Sequence, residues 1–102
     1  MTQDIRETEE QNTARRATLL GLSYTNTYNN DPKPLFKELL PLEELYSLRV
    51  IPLIESKGAI KFGITTTTSQ QTMTNLTNRF LDQRVSYSLI SDTGYQDYMK
   101  LY

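Results

Sequence analysis

The run Arg49-Val50-Ile51-Pro52-Leu53-Ile54-Glu55, Ser56-Lys57-Gly58, Ala59-Ile60-Lys61-Phe62-Gly63-Ile64-Thr65 decides how this chain folds. Its first segment is almost continuously apolar, which in a strand calls for cover on both faces. Its last segment alternates, with Ile60, Phe62 and Ile64 sharing one side. Between them Gly58 supplies the positive φ that a tight turn requires. The two segments read as a hairpin of strands over 49–55 and 59–65. Pro52 must then lie where the ladder needs no donor.

Upstream of the hairpin, Leu42 to Leu48 reads as a short helix with Leu42, Leu45 and Tyr46 inward. Pro41 restarts this helix, because it lacks the N–H that a helix interior needs. Pro34 suits an earlier first turn, and Leu35, Phe36, Leu39 and Leu40 give that helix its apolar stripe. The Asn-rich stretch 23–33 is a loop, with a short extended piece at Leu22-Ser23-Tyr24-Thr25. Before it, a helix is expected from about Glu7, with Ala14, Ala17 and Leu20 on one face and Gly21 ending it. Residues 2–12 are charged and nearly free of apolar side chains, so a flexible N-terminal arm is expected over 1–13.

Downstream, Ser69 is placed to cap a helix over 70–82 carrying Met73, Leu76, Phe80 and Leu81. A third strand follows over 85–91, in which Val85, Tyr87 and Leu89 alternate with Ser86, Ser88 and Ile90. Asp92 or Thr93 caps a last helix bearing Tyr95, Tyr98, Met99 and Tyr102 on one side. The predicted fold is α+β in the order ααα-ββαβα: a small three-stranded, mainly antiparallel sheet with helices packed on it. The expected strand order is 2-1-3, with 49–55 central, in a single domain over 14–102.

Composition excludes more than it indicates. A chain of 102 residues has room for one core. A formal net charge of −1 leaves no basic footprint for nucleic acid, which demands clustered Lys and Arg. The chain has no cysteine and no histidine, which removes disulfides, thiolate metal sites, Cys nucleophiles and the commonest general base. No apolar run approaches the roughly 20 residues of a membrane span, so direct membrane insertion is not expected and the composition suits the cytoplasm.

No Gly-x-x-x-x-Gly-Lys-[Ser/Thr] phosphate loop exists, so no ATPase chemistry is expected of this chain. The hydroxyl run over 65–69 precedes a helix and could hold a phosphate, although a strand end followed by a cap accounts for it more simply. The carboxylate pairs Glu43 and Glu44, or Asp92 and Asp97, carry no partner motif and read as solvated or helix-capping groups. Arg15-Arg16 reads as a solvated helix face before it reads as a phosphate grip. Tyr95, Tyr98 and Tyr102 form either the docking stripe of a helix or a partner-binding surface. For the surface reading, the exposed edge of strand 85–91 would complete the contact. No catalytic residue, metal site or cofactor is expected.

Ala14-Arg15-Arg16-Ala17, Leu20-Gly21-Leu22-Ser23-Tyr24, Leu39-Leu40-Pro41 with Glu44-Leu45, Arg49-Val50-Ile51-Pro52-Leu53, Gly58 with Ile60, Phe62-Gly63-Ile64 and the terminal Tyr102 occur in an order that resembles a family. That family is the N-terminal domain of type II secretion and type IV pilus assembly ATPases, a cyclic-dinucleotide-binding type of domain in some members. The resemblance runs from about Ala14 to Tyr102. Ser23 replaces the usual Pro, Leu42 is an extra residue, and Thr66-Thr67-Thr68-Ser69 stands where an Asp-Pro-x-Asp turn is usual. The resemblance implies a non-catalytic interaction or regulatory domain, ahead of a downstream ATPase domain, that docks it onto the cytoplasmic part of an inner-membrane platform protein. The alternative it implies is a cyclic di-GMP sensor. The paired Arg-Leu-Gly motifs of the relatives that bind this nucleotide are absent here.

Overall fold

The computed structural model describes residues 2–28 and 33–102. Its elements are α1 (Thr2–Leu20), β1 (Ser23–Tyr24), α2 (Leu42–Leu48), β2 (Val50–Ser56), β3 (Ala59–Ile64), α3 (Gln70–Arg79), β4 (Arg84–Leu89) and α4 (Asp92–Met99). The α+β class stands, but the sheet differs from the expected one. It has four strands in the order β1-β4-β3-β2, with β2 and β3 antiparallel, β3 and β4 parallel, and β1 and β4 parallel.

The hairpin forms as its sequence dictates, with Gly58 at φ 81° and Ala59 returning opposite Ser56. Pro52 lies on an edge strand, opposite Phe62, and a bulge follows before Ile54. An edge position is where a residue without an N–H is tolerated.

The expected central place of 49–55 is thus corrected: β2 is an edge and β3 takes the interior position. Val50, Ile51, Pro52 and Leu53 are all buried, as their apolarity demanded. The cover comes from helices α2 and α4, which pack on this strand. Burial on both faces reports layers above and below a strand and is silent about hydrogen-bonding neighbours beside it. The segment 65–83 carries α3 and supplies the long crossover that parallel β3 and β4 need.

Parallel register aligns Ile60 with Val85, Phe62 with Tyr87 and Ile64 with Leu89, so these side chains share one face. α3 lies over it. The Tyr87 hydroxyl donates to the Met73 carbonyl at 2.6 Å, and the Phe80 ring centroid is 6.0 Å from that of Phe62. Ser69 caps α3 as expected, its Oγ accepting the Thr72 N–H at 3.0 Å. The helix ends at Arg79, leaving Phe80 half-buried and Leu81 exposed.

Two further expectations are corrected. The stretch 34–40 forms turns and not a helix, although Leu40 is buried in the core. Pro41 biases Leu40 away from helical geometry, and the few residues between the two prolines are too short to repay helix nucleation. The flexible arm over 1–13 is replaced by helix from Thr2 onward, with the side chains of Arg6 and Glu10 buried. Met1 lies outside the described residues, as do residues 29–32 of the loop predicted over 23–33. The expected extended piece at Leu22–Thr25 is realised as β1, and Gly21 leaves α1 at φ 73°.

Candidate functional site

The tyrosine stripe of α4 faces inward. Tyr95 and Tyr98 belong to the core, and the Tyr95 hydroxyl donates to the Leu45 carbonyl, tying α4 to α2. Tyr102 is half-buried, its hydroxyl accepting the Phe36 N–H at 3.0 Å and so pinning the 33–41 stretch. Of the trio Tyr95, Tyr98 and Tyr102 expected as a partner-binding surface, Tyr95 and Tyr98 are core residues, whereas Tyr102 stays partly exposed: a stripe at helical spacing is a docking face first. Of the expected exposed edge over 85–91, only Ser88 and Leu89 are paired with the two-residue β1, while β3 lies along the other side of β4.

The hydroxyl run closes a loop. Thr68 Oγ1 donates to the Arg49 carbonyl at 2.6 Å and accepts the Thr65 N–H at 3.0 Å. Thr65 Oγ1 and Thr67 Oγ1 lie 2.9 Å apart. These groups are engaged within the chain and hold no open cradle for a phosphate.

Nor do the carboxylates converge. Glu43 is exposed, and Glu44 forms a forked pair with Arg79 at 2.6 and 2.9 Å that holds its carboxyl below the ordinary range. Asp92 pairs with Arg49 at 3.2 Å, while Asp97 reaches Arg6 at 2.8 Å. Arg15 and Arg16 are exposed.

The Arg6 cluster escaped the sequence reading. Arg6 Nε donates to Glu10 at 2.7 Å, one terminal nitrogen donates to Asp97 of α4, and the other donates to Thr27 at 3.2 Å. The guanidinium also lies 4.7 Å from the Tyr28 ring centroid. Glu10 in turn accepts the hydroxyls of Tyr24 and Ser91. Burial alone would lower the Arg6 pKa, but the bonds to Glu10 and Asp97 outweigh it and raise it. Burial, aided by the bond to Glu10, pushes the Tyr24 phenol strongly up. The one signal in the sequence was the four-residue spacing of Arg6 and Glu10, which is equally that of a solvated pair.

The outer face of α2 is open to solvent. Leu42 and Tyr46, expected inward, are 45% and 61% exposed. Tyr46 lines a shallow groove with Arg49, Tyr95, Gln96, Met99 and Lys100. Arg49 sits 4.5 Å above the Tyr95 ring and forms the groove floor with it. Among the described residues no helix is long and apolar enough to cross a membrane.

This fold is that of the N-terminal domains of type II secretion and type IV pilus assembly ATPases. The particular structures it resembles are MshE with cdg, at TM-score 0.70 and 18% identity, and the N-terminal domain of XpsE, at TM-score 0.70 and 17% identity. A second crystal form of the XpsE domain matches at TM-score 0.63 and 15% identity. The likeness covers 90%, 91% and 93% of this chain, which spans only 66%, 66% and 64% of the neighbours' lengths. No protein-family model matches the sequence. No curated protein is detectably similar to it.

Proposed function

We propose that this chain is a non-catalytic interaction and regulatory domain of a secretion or pilus assembly ATPase, which docks that enzyme to the cytoplasmic part of its inner-membrane platform. The observation that supports this reading is the shared fold with MshE and the XpsE N-terminal domain over nine-tenths of the chain. With Tyr95 and Tyr98 buried, the surface we propose for the contact is the neighbouring one, where Leu42 and Tyr46 stand exposed beside the Arg49 groove. An exposed Tyr next to an Arg is the residue pairing that protein interfaces favour. The working location is cytoplasmic, at the inner membrane through the partner.

Titration against the cytoplasmic segment of a platform protein from the same cell tests this. Binding that weakens about tenfold or more on Tyr46→Ala is the expected result. No binding to any platform segment overturns the docking role. A second reading, a cyclic di-GMP sensor, draws support from the likeness to MshE solved with cdg. The missing Arg-Leu-Gly motifs weigh against it, and we expect calorimetry with cyclic di-GMP to show no tight uptake. Micromolar binding there would reverse the order of the two readings.

A further inference from the structure

The way α1 is attached to the rest of the domain is unlike the way any other helix is attached. Of its described side chains, Ala17 is the one buried apolar group, while Ile5, Leu19 and Leu20 face solvent. The other buried groups are Arg6 and Glu10, 8% and 4% exposed. Among the described residues, every bond these two make outside α1 runs to a hydroxyl, a carboxylate or a ring: Thr27, Asp97, Tyr28, Tyr24 and Ser91. Glu9 adds one more, accepting the Thr93 N–H at 3.2 Å.

We propose that the first half of α1, over 2–13, is a charge-held latch that leaves and rejoins the domain as a unit while the sheet and the remaining helices stay folded. An apolar helix cannot leave without exposing surface that water rejects. Here the groups uncovered are mostly ones that water solvates well, Arg6, Glu10, Thr27, Asp97 and Ser91, with Ile90 and the Tyr24 and Tyr28 rings beside them. The desolvation cost of the buried ions, which offsets much of their mutual attraction, is recovered on opening. The receiving surface also keeps its own structure when the helix departs. Ser91 still caps α4 through the Gly94 N–H, and β1 stays joined to β4 with Thr25 N–H bonded to the Leu89 carbonyl. Behind the latch, Ala17 is buried and its carbonyl holds the Leu22 N–H at 2.9 Å, which anchors the far end. This inference stands apart from the docking function.

Amide hydrogen exchange on the intact chain tests the latch. Amides over 5–13 are expected to exchange at least about a hundredfold faster than those of β3 and β4, through an opening smaller than global unfolding. Glu10→Gln, which keeps shape and removes charge, should raise exchange over 5–13 by a further tenfold or more and leave β3 and β4 unchanged. Asp97→Asn, at a more exposed partner of Arg6, should act in the same direction and serves if Glu10→Gln does not fold. Exchange over 5–13 that runs in step with β3 and β4, in the parent or in either variant, overturns the proposal.

Discussion

Arg49 is the residue at which local cost and tertiary gain meet most plainly. It closes α2 in the left-handed region at φ 57°, a conformation a side chain ordinarily avoids. Its guanidinium then stacks on Tyr95 and bonds to Thr67 and Asp92, each at 3.2 Å. Arg49→Ala keeps the strained backbone and loses the contacts, whereas Arg49→Gly loses the contacts and relaxes the backbone. The glycine variant should therefore be the more stable of the two by about 1 kcal/mol, read from urea midpoints. Equal midpoints would mean the strain is negligible. Gly94 makes the opposite case, because the neighbour and not the backbone demands a glycine. A Cβ there would overlap Thr27 Oγ1, itself fully buried and bonded to Arg6. Gly94→Ala should cost about 1–3 kcal/mol by overpacking. It should also loosen α1, and a midpoint equal to the parent's would contradict the close approach.

Among the elements, the pairing of α3 with the sheet was legible from its apolar spacing and its Ser69 cap, but the weight of its residues was not. From the sequence alone, Phe80 is expected to put buried aromatic volume between this helix and the sheet, worth about 3–5 kcal/mol on truncation. The structure places it at the C-terminal cap, half-buried, with Phe62 of β3 fully buried beneath it. Phe62 also stacks on Tyr87 at 6.1 Å. Phe62→Ala is accordingly expected to cost about 3–5 kcal/mol and Phe80→Ala roughly half that. Urea unfolding of the two variants in parallel checks the order, and a larger loss at Phe80 would refute it. The same blindness misplaced β2. Its apolar run stated that layers lie above and below it, while its neighbours were set by the parallel crossover through α3.

For the whole molecule, alkaline pH is the revealing perturbation. Tyr24, Tyr87, Tyr95 and Tyr102 all have their phenols raised, in each case chiefly by burial. The unfolded chain then releases these protons first, near the ordinary value of about 10. Stability held by the four groups is thus intact below that pH and is lost as pH rises through their folded-state values. The urea midpoint should fall above about pH 10, and Tyr24→Phe should make the fall shallower. A midpoint that holds level to pH 11.5, in the range about 10 and above, would show that the phenols are not held neutral by the fold.

The sequence by itself determined the class of the fold, the hairpin with its Gly58 turn, the Ser69 cap, and the order of elements from α2 to α4. These depend on periodicity, backbone freedom and capping chemistry, which act over a few residues. Only the tertiary structure decided that β2 is an edge, that Tyr95 and Tyr98 are core, that Tyr46 is the exposed tyrosine, and that Arg6 and Glu10 are buried. A side chain's type states what environment it prefers, whereas its solvent exposure depends on which distant element arrives to cover it. For the polar opening of α1, the covering groups are Asp97, Thr27 and Ser91, up to 91 residues away along the chain, and no local pattern announces them.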